Sequence, residues 1–249
     1  MSAPPAPGRF DLRRIRSDEF VVLLREAFVP LQAWPGRLIG WFALVYLPIF
    51  LMLDREIVSL FLRAAYGAVA YAGFTVALEA ARRKEPPAWR HVASVFGFGE
   101  GKLVLLIVSG VLPAALGLLA LLGIWGPDAT AAFLKAPAEA PVPGSQQMEL
   151  AEFVTEQVTQ LPFTFVAPVC ALYSWSGSQS MAVNLMACLV NWRWALLSTA
   201  AFSLAAQAML SASDLGPAAQ LLIVFGECAL DFLLLAWTLA LARRMLPPP

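Results

Sequence analysis

The sequence predicts an all-α membrane protein of six transmembrane helices, arranged as three hairpins that each follow a cytoplasmic interfacial amphipathic segment. Three observations carry this. Apolar residues make up 59% of the 249 and charged residues only 14%, with a mean hydropathy of +0.70, too little charge to cover a soluble surface. The apolar residues fall in runs near the roughly 20 residues that cross a hydrocarbon core. The 17 basic and 17 acidic residues cancel, yet they alternate between the loops in a way that orients every span.

The first 16 residues hold Arg9, Arg13, Arg14 and Arg16 among prolines, small residues and Asp11. The first long apolar run begins only near Leu38, too late for a secretory signal, so this stretch reads as an uncleaved, disordered cytoplasmic tail. A single six-helix domain is expected over 17–246. Phe20, Leu24, Ala27, Phe28 and Leu31 recur at helical spacing and predict an amphipathic helix in the interface. Spans then follow over 37–53 and 57–81, joined by the tight loop Asp54–Glu56. A basic loop, Arg82 to Arg90, leads to a short interfacial stretch from Ala88 to Phe98 and a third span over 103–125. The segment from Gly126 to Met148, rich in Ala, Pro and Gly, reads as a long outer loop.

The fourth span is expected over 158–175, extended backward as a helix through Glu149, with Pro162 and Pro168 as kinks and not breaks. Next comes a third interfacial helix, in which Ser180, Asn184, Ala187 and Asn191 form a polar stripe beside Met181, Leu185, Cys188 and Leu189. Spans five and six cover 192–210 and 217–242. With the amino terminus inside, 14 of the 17 basic residues are cytoplasmic, leaving Arg55, Arg63 and Lys135 outside or near it. Reversal would invert that ratio, so both termini are placed in the cytoplasm and the protein in a bacterial inner membrane. Trp34, Trp41, Trp89, Trp192 and Trp194 cluster at one level as an interfacial belt. Three parallel copies of interfacial helix plus hairpin account for the order of these elements.

The passage from Phe165 to Leu197, FVAPVCALYSWSGSQSMAVNLMACLVNWRWALL, resembles the recurring block of a large set of bacterial multi-pass inner-membrane proteins. It is similar in pattern to the membrane domain attached to some glycerophosphodiester phosphodiesterases, and Ala80 to Gly99 fits the same pattern. The resemblance implies a fold and supplies no catalytic residues; the phosphodiesterase domain has no counterpart in this chain.

Glu227 and Asp231 are the candidate ion or proton site. They stand four apart on one face of the last span, near its midplane, where a carboxylate is costly. Arg63, entering the second span from the outer side, is the candidate counter-ion. Asn184, Asn191 and Gln207 are expected to bond between helices. Glu79 reads as a snorkelling residue neutralised by Arg82, Arg83 and Lys84. The run Gly97–Lys102 fails the phosphate-loop pattern, because Phe96 and Leu103 occupy positions that need glycine and a hydroxyl. Cys170, Cys188 and Cys228 lack metal-ligand spacing, and His91 has no acidic or thiol neighbour, so no metal, cofactor or catalytic residue is assigned. Neutral net charge gives no pull toward nucleic acid. The expected partners are the lipid bilayer and a membrane protein or second copy of the chain. Two functional readings follow: a non-enzymatic module that packs against or organises envelope components, or a small proton- or cation-coupled transporter centred on Glu227 and Asp231.

Overall fold

Long apolar runs without strand-like alternation leave the backbone to satisfy itself internally, and the helix is the local structure that does so. In the computed structural model, which describes residues 12–51, 57–135, 145–210 and 217–246, every α or 3-10 element is helical and no strand occurs among those residues. The α-helices are α1 (Phe20–Ala33), α2 (Pro35–Leu51), α3 (Ile57–Arg82), α4 (Trp89–Ala93), α5 (Glu100–Lys135), α6 (Ser145–Gln160), α7 (Val166–Leu172), α8 (Gly177–Val190), α9 (Trp192–Leu210) and α10 (Pro217–Met245). Two of them, Ile57–Arg82 and the Glu100–Ala132 part of α5, are long and apolar enough to cross a membrane.

Both are apolar outward as well as inward. Along α5, Val104, Val108, Leu112, Leu116 and Leu119 make an exposed stripe at three- and four-residue spacing, while Leu105, Leu106 and Ser109 on the opposite side are buried. A helix on the surface of a soluble domain has the reverse pattern, with charge facing out. An exposed apolar surface of this extent needs a covering, and hydrocarbon supplies one.

Small residues bring α3 and α5 together. Gly110 lies so close to α3 that a methyl group there would overlap the Ala64 carbonyl and reach Ala68 Cβ at 3.1 Å. The largest core cluster lies among α1, α2, α3, α8 and α10. Phe42 packs edge-on to Phe74 at 5.1 Å and against Phe232 at 5.0 Å, with Leu23, Leu78 and Leu241 fully buried around them. Tyr66 of α3 donates to the Val45 carbonyl of α2 at 2.8 Å. Trp237 Nε1 of α10 donates to Ser198 Oγ of α9, also at 2.8 Å.

The structure changes four expectations. Residues 12–16, expected within a disordered tail, dock on the fold: Ile15 is buried, and Arg13 N–H donates to the Met245 carbonyl at 2.8 Å. Residues 1–11 lie outside the described residues. The outer loop after Gly126 carries helix. Gly126 adopts φ 80° and ψ 171°, a region essentially reserved for glycine, and Pro127 then starts a new helical segment to Lys135, where its missing N–H costs nothing. This turn separates Thr130 and Leu134 from the apolar part of α5, and Leu134 packs back on Leu121, as Trp125 does.

The helix expected over 158–175 is broken and not merely kinked. Helix α6 ends at Gln160, a 3-10 turn covers Leu161–Phe163, and α7 starts at Val166. Pro162 has no N–H to donate, and two groups that the break leaves without helical partners find a side chain: Asn184 of α8 accepts from Phe165 N–H at 3.0 Å and donates to the Pro162 carbonyl. Pro168 falls in the first turn of α7, where it is tolerated.

The stripes of α1 and α8 also turn out differently. On α1, Leu23, Ala27 and Pro30 face the protein, whereas Phe20, Leu24 and Phe28 are exposed. On α8, Ser180, Asn184, Ala187 and Cys188 are buried with Asn191 just beyond the helix, and Met186 and Leu189 point out. Polar groups face inward because irregular backbone needs them there. The middle interfacial stretch is only α4 followed by a 3-10 turn at Ser94–Gly97. His91 Nδ1 accepts the Ala88 N–H at 3.1 Å and closes the start of α4.

Candidate functional site

Arg63 and Asp231 come from helices far apart in sequence, and they line one cavity. Its volume is about 530 Å³, and α3, α5, α7, α9 and α10 all contribute to its wall together with the α6–α7 break. Arg63 and Tyr71 come from α3, Gln160 and Thr164 from the break, Thr199 from α9, and Asp231 and Thr238 from α10. Leu60, Leu234, Leu235 and Pro168 supply the apolar remainder.

The break is what opens the wall. A continuous helix through 158–175 would cover its own polar backbone, whereas the 3-10 turn presents Gln160 and Thr164 to the cavity. Gly110 and Ala64, where α3 and α5 touch, form one edge. Arg63 Nε is buried there and has no hydrogen-bond partner among the described residues. A buried guanidinium donor without an acceptor is costly, so the cavity favours an anionic or carbonyl group beside it.

Of the carboxylate pair, only Asp231 can be placed in this cavity. The side chain of Glu227, on the same helix one turn earlier, lies outside the described residues, as do those of Gln207 and Cys228. Asn184 and Asn191 are brought to backbone and not to each other. Asn191 Oδ1 accepts from Ile15 N–H at 2.8 Å, and its Nδ2 donates to the Arg13 carbonyl at 3.2 Å. Both asparagines thus hold irregular segments against helices.

A second polar assembly closes one end of the molecule. Glu79, its side chain 6% exposed, accepts from Arg82 at 2.9 and 3.0 Å, from Arg83 at 3.0 Å and from Arg243 Nη1 of α10 at 2.7 Å. Arg244 reaches Glu26 of α1 at 2.5 Å, and Arg13 reaches Glu19 at 2.8 Å. Of the neighbours read from the sequence, Arg82 and Arg83 pair with Glu79 and Lys84 does not, while Arg243 was missed. The available signal was a matching pair of arginines at the end of another apolar helix. Lys102 belongs to this same end: the first turn of α5 lies against that of α8 at Gly101 and Gly177, and Lys102 Nζ donates to the Cys170 carbonyl at 2.8 Å and to the Tyr173 carbonyl. It therefore satisfies the last carbonyls of α7 and complements that helix's dipole. Arg13, Arg82, Arg83, Lys102, Arg243 and Arg244 are gathered at one end by these contacts.

Cys188 lies on the buried face of α8 with its Sγ 3.8 Å from Asn184 Oδ1. Burial pushes its thiol up to about 12, against a smaller opposing pull from the backbone at Phe165 and Thr164. Folded protein at pH 8 is therefore expected to leave Cys188 unlabelled by a maleimide, with labelling appearing only on unfolding. The unfolded chain releases this proton near 9.0 and the folded chain retains it to about 12, so raising the pH through that window favours unfolding. Rapid labelling of the folded state at Cys188, read by peptide mass, would contradict this burial.

No protein-family model, curated protein or solved structure matches the chain.

Proposed function

We propose that the chain is a six-span inner-membrane protein, three hairpins with both termini in the cytoplasm, and that it carries a small polar solute or cation, coupled to a proton, through its central cavity. The observation that supports this reading best is the convergence of Arg63 and Asp231 on one cavity of about 530 Å³ walled by Tyr71, Gln160, Thr164, Thr199 and Thr238. Hydroxyl, amide and ionisable groups pointing into a space of that size provide the few convergent polar contacts of a small-ligand site. Asp231 lines this space, and a carboxylate that can take up either a proton or a cation supplies the elementary form of coupling. Arg63, with a buried Nε to offer, would orient an anionic or carbonyl group of the solute.

The membrane placement draws on the outward apolar stripe of α5 and on the collection of basic side chains at one end, which suits a cytoplasmic face. The likeness in pattern to the membrane domain of glycerophosphodiester phosphodiesterases agrees with such a fold. A second reading, a module packing against other envelope components, draws on the exposed Phe20, Leu24 and Phe28 of α1.

Reconstitution in liposomes enclosing a pH-sensitive dye tests the assignment. Wild-type protein should move protons when a cation or solute gradient from a small-metabolite panel is imposed. Asp231→Asn and Arg63→Gln should each lower that flux at least about tenfold, the effect of losing roughly 1.4 kcal/mol of differential binding, while accumulating normally in the membrane. Unchanged flux in both variants would remove the cavity from the mechanism. Absence of flux for every gradient, with a stoichiometric protein co-purifying, would assign the chain to the module class.

A further inference from the structure

A second cavity, of about 440 Å³, lies where the amino-terminal segment crosses the junction of α8 and α9, and it is lined by Arg14, Arg16 and Arg193 together with Trp192 and Leu197. The geometry is built and not incidental. Asn191 clamps Ile15 N–H and the Arg13 carbonyl, and Trp194 Nε1 donates to the Ile15 carbonyl at 3.3 Å, which fixes the segment in place. Ile15 is buried on the protein side. Arg14 and Arg16, on either side of Ile15, are exposed and both line the cavity. Arg193 joins them from the first turn of α9, its guanidinium 5.5 Å above the Trp192 ring.

Three arginines share this lining with no carboxylate in it: Arg16 meets Asp18 at 3.5 Å and gives its backbone N–H to Glu19 Oε1 at 3.1 Å, whereas Arg14 and Arg193 have no carboxylate partner among the described residues. The neighbouring arginines show the contrast: Arg13, Arg82, Arg243 and Arg244 all have carboxylate partners. Arg14, Arg16 and Arg193 are exposed, and an anion between them would be attracted by all three charges. Guanidinium groups match the oxygens of a phosphate in charge and in bidentate geometry. Beside the cavity the surface turns apolar, with Leu189, Leu196 and Leu197 exposed along α8 and α9.

We propose that this cavity binds a phosphate ester, the three arginines holding its oxygens and the Trp192 ring lying against the group attached to them. The ester comes from the headgroup of an anionic phospholipid, whose chains would run along Leu196 and Leu197, or from a soluble phosphate. The site is independent of what the central cavity carries.

The test uses the full chain in an uncharged detergent, incubated separately with phosphatidylglycerol, phosphatidylcholine and inorganic phosphate, with binding read by native mass spectrometry and titration calorimetry. Phosphatidylglycerol retained over phosphatidylcholine identifies the lipid source; binding of inorganic phosphate identifies the soluble one, whatever the chain's placement in a bilayer. In either case R14Q/R16Q/R193Q should weaken binding at least about tenfold, and the single exposed change R16Q should weaken it severalfold with unchanged thermal unfolding. R90Q, which removes an exposed arginine of α4, should change nothing. Equal retention of the two lipids without phosphate binding, or a loss in R90Q as large as in R16Q, would overturn the proposal.

Discussion

Glu79→Ala is expected to cost about 3 kcal/mol of stability, more than any single arginine around it, because truncating one member of a buried ionic cluster leaves the others uncompensated. One carboxylate serves three guanidinium groups: Oε1 accepts from Arg82, Arg83 and Arg243, and Oε2 takes the second arm of Arg82. The arginines are 24 to 54% exposed, so water meets part of their loss, and the figure sits at the low end for buried pairs. Arg243→Ala should cost less, about 1 kcal/mol, since Glu79 keeps its two near neighbours. Arg243 is nevertheless the tie between the ends of α3 and α10, 164 residues apart. Denaturation of the purified variants gives the individual costs, and the double mutant E79A/R243A gives the coupling. Coupling below about 0.5 kcal/mol would mean that the helix ends are held by packing alone.

The same cluster shows how far the sequence could be read. Periodicity and run length place α3, α5 and α10 because these are local properties, and how far along its own helix Arg63 or Asp231 falls follows from counting residues. Which helices are neighbours is not a local property. Glu79 advertised a need for positive charge, but Arg82 and Arg83 already met it on paper, so nothing pointed to Arg243. The break after Gln160 was illegible for a related reason. Prolines in apolar helices are read as kinks when neighbours repair the backbone, and whether repair yields a kink or a break depends on the side chain that supplies it. Here it is Asn184, about 20 residues further along, and it bonds the chain in its non-helical form. The docking of Leu12–Arg16 was hidden in the same way, since the partner of Asn191 is backbone and carries no residue-type signal.

These two asparagines should respond to the same mutation in opposite ways. Asn184 is fully buried, and the groups it serves, Phe165 N–H and the Pro162 carbonyl, belong to a break enclosed by helices. In Asn184→Leu both groups lose their partner; Phe165 N–H is buried and the Pro162 carbonyl half-buried, at about 1–3 kcal/mol for the first and less for the second, so a global loss of about 2–3 kcal/mol is expected. Asn184→Asp should be no better, because its second oxygen faces the Pro162 carbonyl with no proton to give when ionised. Asn191 also serves two backbone groups, but they lie on a five-residue segment at the edge of the fold, with Arg13, Arg14 and Arg16 already exposed. When Asn191→Leu removes their partner, the segment can swing out and hydrate, and the core need not open. Thermal unfolding should therefore fall sharply for Asn184→Leu and little for Asn191→Leu. Trypsin cleavage after Arg13, Arg14 or Arg16 in the folded protein should accelerate only for Asn191→Leu. Equal melting losses for the two variants, with no change in cleavage, would show that the segment and the break are parts of one cooperative unit and that the hydration route argued for Asn191 does not exist.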